Sequence, residues 1–144
     1  MEQFFIYIQK SPLNMVLLGL AITSGGLLLF PFFKRGMRPG AEVGPTEAVT
    51  LINRKDAAVL DVRDESEFAN GHINNARHVP EKQVADRMKE LEKLKNKPLI
   101  VSCASGRRAA TVVDQLRKQG FTEVVALRGG IGAWQQAGMP LEKK

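Results

Sequence analysis

The single cysteine of the chain, Cys103, opens the run Cys103-Ala104-Ser105-Gly106-Arg107-Arg108. An apolar stretch, Pro98 to Val101, leads into it, and a helix-compatible segment, Arg107 to Gln119, leads out. A thiol between the end of a buried strand and the start of a helix, beside two arginines, sits where backbone N–H groups and cations stabilise a thiolate. An isolated cysteine is often an inert packing residue. The glycine and the arginines around this one make it a candidate nucleophile instead. Ala104, Ser105 and Gly106 are small enough for a tight turn, and Gly106 admits positive φ. The N–H groups of Ala104 to Arg108 can then converge on the sulfur as an anion-binding nest. Arg107 and Arg108 stand at a helix N-terminus, where cations are unfavourable. Contact with an anionic substrate would account for both.

Few other residues carry chemistry. Asp61 and Arg63 end a predicted central strand, where they either line the site or form a structural ion pair. His72 and His78 are the only histidines. Nothing in their spacing brings either to Cys103, and His72 reads as fixing the Gly71-His72-Ile73 turn. One cysteine and two scattered histidines lack metal-ligand spacing, so neither a metal nor a cofactor is expected.

The elements that must position these residues alternate. A short first strand is expected around Glu42 and Val43. A helix follows from a Thr46 cap, with Ala48, Val49, Leu51 and Ile52 on its buried side. Ala57 to Val62, Ala76 to Val79, Leu99 to Ser102 and Glu123 to Leu127 read as short buried strands. Asp64 or Ser66 can cap a brief helical turn to Ala69. Glu81 to Leu94 carries Val84, Met88, Leu91 and Leu94 on one stripe and predicts an amphipathic helix. Arg107 to Gln119 predicts another, with Val112, Val113 and Leu116 inward and Gly120 as its stop. Arg128-Gly129-Gly130 is a turn, and Ile131 to Gln136 a last short helix anchored by Trp134. This alternation predicts an α/β fold, a doubly wound parallel sheet with helices on both faces. In such sheets ligands bind at the carboxyl ends of the strands, which is where Cys103 falls.

Residues 11–33 carry no charge. Leu13 to Phe33 is about 21 residues, the length of a membrane-crossing helix. Phe32, Phe33, Lys34 and Arg35 mark an interfacial end. A cleaved signal peptide fits poorly: the first ten residues hold Glu2 beside Lys10, and Pro31-Phe32-Phe33-Lys34 stands where a small-residue cleavage site belongs. The expected organisation is a tail and transmembrane anchor over 1–35 (span about 13–33), a Gly/Pro-rich linker over 36–45 and a domain over 46–144. The basic flank Lys34, Arg35 and Arg38 places the domain on the cytoplasmic side of a single-pass, bacterial-type inner membrane. The chain of 144 residues has a net charge of +6. It shows no interleaving of basic and aromatic residues, so nucleic acid is not an expected partner. The excess charge suits anionic lipid heads or a small anionic substrate.

Four segments in order carry a resemblance. They are Leu60-Asp61-Val62-Arg63 with Glu67-Phe68 and Gly71-His72-Ile73; Ala76 to Pro80; Cys103 to Arg108 in the form Cys-x-x-Gly-x-Arg; and Leu127 to Ile131 with Ala133-Trp134 and Gly138-Met139-Pro140. Together, over about Gly44 to Leu141, they resemble the single-domain rhodaneses, which are sulfurtransferases. The resemblance implies a rhodanese-like fold. It also implies double displacement, in which a Cys103 persulfide carries sulfane sulfur from a donor such as thiosulfate or a persulfide to a thiol or protein acceptor. Ala104, Ser105, Gly106, Arg107 and Arg108 would hold the donor and the transferred sulfur. With one cysteine, no internal resolving disulfide can form. Two alternatives stand beside this reading. One is a membrane-tethered sulfur carrier or protein-docking module with little turnover. The other is a phosphatase or arsenate reductase of the related Cys-loop type. Those families place five residues between Cys and Arg; Arg108 follows Cys103 after four, a smaller loop that suits sulfur better than phosphate.

Overall fold

The computed structural model describes residues 12, 13, 15–17, 19–21, 23, 24 and 42–143. The chain divides into two units, Met1–Pro39 and Gly40–Lys144. In the first, residues 12–24 are helical wherever they are described. No helix among the described residues is long and apolar enough to cross a membrane. The rest of the expected 13–33 span, its Lys34-Arg35 flank and most of the 36–45 linker lie outside the described residues.

The second unit is built on five parallel strands: β1 (Glu42–Val43), β2 (Ala58–Asp61), β3 (Arg77–His78), β4 (Leu99–Ser102) and β5 (Val124–Leu127). Their order is β1-β5-β4-β2-β3. Every residue of β4 is buried, as a central parallel strand covered on both faces requires. Alternate residues point to opposite faces. Leu99 and Val101 pack with Leu60, Val124 and Ala126 under α4 (Arg107–Lys118), which contributes Ala109, Val112, Val113 and Leu116. Ile100 packs the other way, with Val43, Val59 and Leu127, against α1 (Pro45–Lys55) and α5 (Gly130–Gln136). The result is the expected sheet with helices on both faces.

Two details differ from the sequence reading. Helix α1 is capped by Gly44 with Pro45 in its first turn, not by Thr46. Proline has no N–H to satisfy, and its fixed φ suits the first helical position. The predicted helix over 81–94 is broken into a 3₁₀ turn at Glu81–Gln83, a single α turn α3 (Met88–Leu91) and a second 3₁₀ turn at Glu92–Leu94. The stripe itself is correct: Val84 and Leu91 are buried in the α4 layer, with Met88 and Leu94 packed against it. Arg87 interrupts the helix at φ −101° and ψ 17°. Its guanidinium is held by the Glu90 carboxylate at 2.9 Å and the His78 carbonyl at 3.4 Å. The His78 contact reaches across the fold, whereas the Glu90 pair is an i,i+3 contact that a helix also allows.

The chain runs outward from β2 to β3, crosses back to β4 and continues to β5. Neighbouring strands β2 and β4 therefore lead away in opposite directions. Their carboxyl ends form the switch-point crevice where α/β sheets bind ligands. Asp61 and Ser102 are partners in register at those ends, and the Val62 N–H donates to the Ser102 carbonyl at 3.0 Å. Cys103 is the next residue along β4.

Candidate active site

Cys103 is 1% exposed. Its Sγ accepts the N–H of Gly106 at 3.0 Å and that of Ala109 at 3.4 Å. Gly106 is the N-cap of α4, with φ 98° and ψ −16°, and Ala109 lies in the first helical turn. The sulfur therefore sits on the positive end of a twelve-residue helix, a setting that favours negative charge on it. Of the five N–H groups expected to converge, Ala104 to Arg108, only that of Gly106 reaches the sulfur; the second donor, Ala109, lies beyond them. Ala104 and Ser105 are exposed at the mouth. The N–H groups of Arg107 and Arg108 belong to the helix's first turn and have no intrahelical acceptor.

A second helix explains why the loop faces this way. The N–H groups of Ile131 and Gly132, at the start of α5, donate to the carbonyls of Cys103 at 2.8 Å and Ala104 at 3.2 Å. The loop carbonyls turn toward α5, which leaves the N–H side for the sulfur. This approach is possible only because Gly129 and Gly130 adopt φ of 72° and 60°. A Cβ on Gly130 would collide with the Cys103 carbonyl oxygen and stand 2.7 Å from the Ala104 carbonyl carbon. The sequence marks these glycines as a turn. Their contact with the cysteine loop joins two segments far apart in the chain and is not readable from local spacing.

Arg108 points at a partner that the sequence reading did not consider. Its guanidinium grips the Glu67 carboxylate bidentately, with both N···O distances at 2.9 Å. Glu67 belongs to the short helix α2 (Glu65–Ala69), capped by Asp64. Its Oε2 also accepts the Asp64 N–H at 3.0 Å, and the Asp64 carboxylate stands 3.9 Å from the same guanidinium. These donors hold the Glu67 carboxyl down at about 2, the Arg108 hydrogen bonds contributing most. Arg108 is correspondingly held in its charged form, chiefly by Glu67, with the Cys103 sulfur among the smaller electrostatic contributors. The Asp64-x-x-Glu67 spacing is a capping signal that could have marked Glu67's local role. Its pairing with a residue 41 positions away could not be found that way. Arg107, by contrast, is exposed and makes no hydrogen bond or ion pair with any described residue.

Asp61 and Arg63 form a buried ion pair rather than a lining of the mouth. The Arg63 Nη2 stands 2.7 Å from Asp61 Oδ2 and 2.7 Å from the Gly71 carbonyl. The pair ties the end of β2 to the turn after α2. The histidines complete this buttress. Phe68 lies between them, its ring stacked on His72 at 3.9 Å and on His78 at 4.3 Å. His72 Nδ1 bonds the Phe68 carbonyl at 3.0 Å, and His78 Nε2 bonds the Arg63 carbonyl at 2.8 Å. His72 also exchanges backbone hydrogen bonds with Glu142, so it does fix the turn around Gly71. Neither ring bonds to Cys103. Among the described residues no cluster of histidine, cysteine and carboxylate side chains could hold a metal ion.

The arrangement presents a buried, N–H-coordinated sulfur to a mouth lined by small residues. That layout can hold negative charge on the sulfur. Comparison with known proteins gives the family. The family model for the Rhodanese-like domain matches residues 44–137. YibN of Escherichia coli strain K12 is 38% identical over 96 residues, 66% of this chain and 67% of its own. The thiosulfate sulfurtransferase GlpE of Stutzerimonas stutzeri strain A1501 is 34% identical over 91 residues, 63% of this chain and 82% of its own. The crystal structure of a rhodanese-related protein from Thermoplasma volcanium superposes with a TM-score of 0.65 at 30% identity, covering 72% of this chain and 98% of that one. On sequence and on fold alike, the chain belongs to the rhodanese family.

Proposed function

We propose that this protein is a sulfurtransferase that carries sulfane sulfur as a persulfide on Cys103. The observation that carries the reading is the pair of N–H donors, Gly106 and Ala109, on the buried Cys103 sulfur. In the first half-reaction the Cys103 thiolate attacks the outer sulfur of thiosulfate. The sulfur–sulfur bond breaks, sulfite leaves with its electron pair, and Cys103 holds an ionised persulfide. In the second, an acceptor thiolate attacks the outer sulfur and the Cys103 thiolate leaves. Each half-reaction conserves charge and needs no oxidant. Ping-pong kinetics follow. The loop N–H groups that do not reach Sγ, those of Ala104, Ser105, Arg107 and Arg108, would face the outer sulfur. Their donors would stabilise its charge as it develops. Thiosulfate as a donor is supported by the GlpE relatives, which bear that substrate in their name. Arg107 supplies attraction for an anionic donor, and Arg108 positions the loop.

Intact-mass measurement after incubation with thiosulfate tests this directly. One added sulfur atom is expected, lost on treatment with cyanide or a thiol. A Cys103→Ser variant that still transfers sulfur at the wild-type rate would overturn the proposal. Steady-state turnover with a small thiol acceptor separates an enzyme from a sulfur carrier.

The uncharged stretch 11–33, with Leu13, Met15, Val16, Leu17 and Leu20 exposed, supports a further reading: residues 13–33 anchor the domain to a membrane from its cytoplasmic side. Release of the chain from membranes by alkaline carbonate would overturn it. Digestion of the domain from the outer side of intact spheroplasts would reverse the orientation.

A further inference from the structure

The positive charge of Arg108, beside Cys103, is cancelled by the Glu67 carboxylate. Arg108 follows the nest and feels the charge of the Cys103 sulfur. Both faces of its guanidinium fork are taken by Glu67, and Asp64 adds a second carboxylate at 3.9 Å. Arg107 is left as the one exposed loop cation without a carboxylate partner among the described residues. Thiosulfate brings two negative charges to a thiolate that already carries one. A persulfide, ionised as R–S–S⁻ at neutral pH, brings only one. In that case the Cys103 thiolate attacks the outer sulfur, the S–S bond breaks, R–S⁻ leaves, and Cys103–S–S⁻ forms. A half-buried ion pair of zero net charge offers a dianion far less than a free arginine does, because charge attraction scales with the net charge facing the ligand.

Building on the sulfurtransferase reading, we propose that Glu67 is a specificity-determining residue: by neutralising Arg108 it turns the Cys103 site away from dianionic donors and toward persulfides and other donors of low charge at the transferred sulfur. Glu67 acts through Arg108 and not by touching the substrate. It is therefore a positioning residue, and its signature is a dependence on donor charge.

Two sulfane donors that differ in charge supply the test, thiosulfate as the dianion and benzenethiosulfonate as the monoanion. Persulfide formation on Cys103 is followed in the full-length chain. Glu67→Gln keeps an oxygen to accept from Arg108 but removes the charge; Glu67→Asp keeps the charge and shortens the reach. In the Gln variant kcat/KM should rise about tenfold for thiosulfate and about threefold for benzenethiosulfonate, one unmasked unit charge acting on two charges and on one. The Asp variant should keep the wild-type ratio between donors. Equal changes for both donors, or the same ratio in the Gln and Asp variants, would show a merely structural role and overturn the proposal. An arm free of sulfur transfer uses sulfate, an unreactive dianion, to protect Cys103 from iodoacetamide. The sulfate concentration giving half protection should fall about tenfold in Glu67→Gln, by the same charge argument; an unchanged value also overturns the proposal. Should neither donor load sulfur onto the wild-type chain, the sulfurtransferase reading fails, while the sulfate arm still decides the charge balance.

Discussion

Replacing Gly130 by alanine tests the mechanical link between the last helix and the cysteine loop. At φ 60° an alanine is strained before any neighbour is considered, by about 1–2 kcal/mol. Its Cβ would also strike the Cys103 carbonyl oxygen and come within 2.7 Å of the Ala104 carbonyl. Both are backbone atoms that cannot swing aside. Relief requires α5 to retreat, which breaks the Ile131 and Gly132 hydrogen bonds to those carbonyls, each worth about 1 kcal/mol. The total is about 3–4 kcal/mol, the conformational cost and the two lost bonds taken together. Gly138 supplies the control. Its φ is 74°, yet a Cβ there meets nothing within 4 Å, so Gly138→Ala should cost only the strain of about 1–2 kcal/mol. Urea denaturation reads both, with the buried Trp134 on α5 as the fluorescent reporter. Alkylation of Cys103 by iodoacetamide under native conditions reads the loop, and its rate should change in Gly130→Ala alone. Equal destabilisation in the two variants, or an unchanged alkylation rate in Gly130→Ala, would refute the claim that α5 sets the loop.

The acid limb of stability should depend on Glu67. Its folded value of about 2 lies below the ordinary 4.5, so its contribution is complete above that ordinary value and is lost as pH falls from 4.5 toward 2. In Glu67→Gln, urea midpoints measured across that window should decline less steeply than in the wild type; parallel curves would contradict the pairing. Asp61→Asn should destabilise the domain by about 3–5 kcal/mol, since it leaves the buried Arg63 guanidinium uncompensated. The double variant Asp61→Asn with Arg63→Met should recover part of that loss in the same denaturation experiment. Aryl phosphate hydrolysis should be undetectable, because only four residues separate Cys103 from Arg108, a loop too small for phosphate; a rate lost on Cys103→Ser would favour the phosphatase alternative.

Much of the domain was legible before any coordinates. Leu99 to Ser102 reads as a buried strand because a parallel strand covered on both faces has no polar side to show. The inward stripe of Val112, Val113 and Leu116 follows from helical period alone. The segment 81–94 marks the boundary of that reasoning. Its stripe predicts which residues are buried, and they are. The backbone between them breaks at Arg87, whose φ of −101° and ψ of 17° leave the helical range, and no periodicity encodes that break. For the site, Cys103 and its small-residue loop stand out on residue type and order. The roles of the two arginines do not: one faces solvent and the other faces Glu67.

By itself, then, the sequence determined the candidate nucleophile, the strand-to-helix junction that holds it and the parallel α/β class. These depend on neighbours within a few positions and on the repeat of strand and helix, which local chemistry dictates. Only the tertiary structure decided which carboxylate meets Arg108, which glycine admits α5 to the Cys103 carbonyl and which aromatic ring separates the histidines. Each of those contacts joins segments from different elements, and packing, not spacing, chooses among the many partners that such a chain offers.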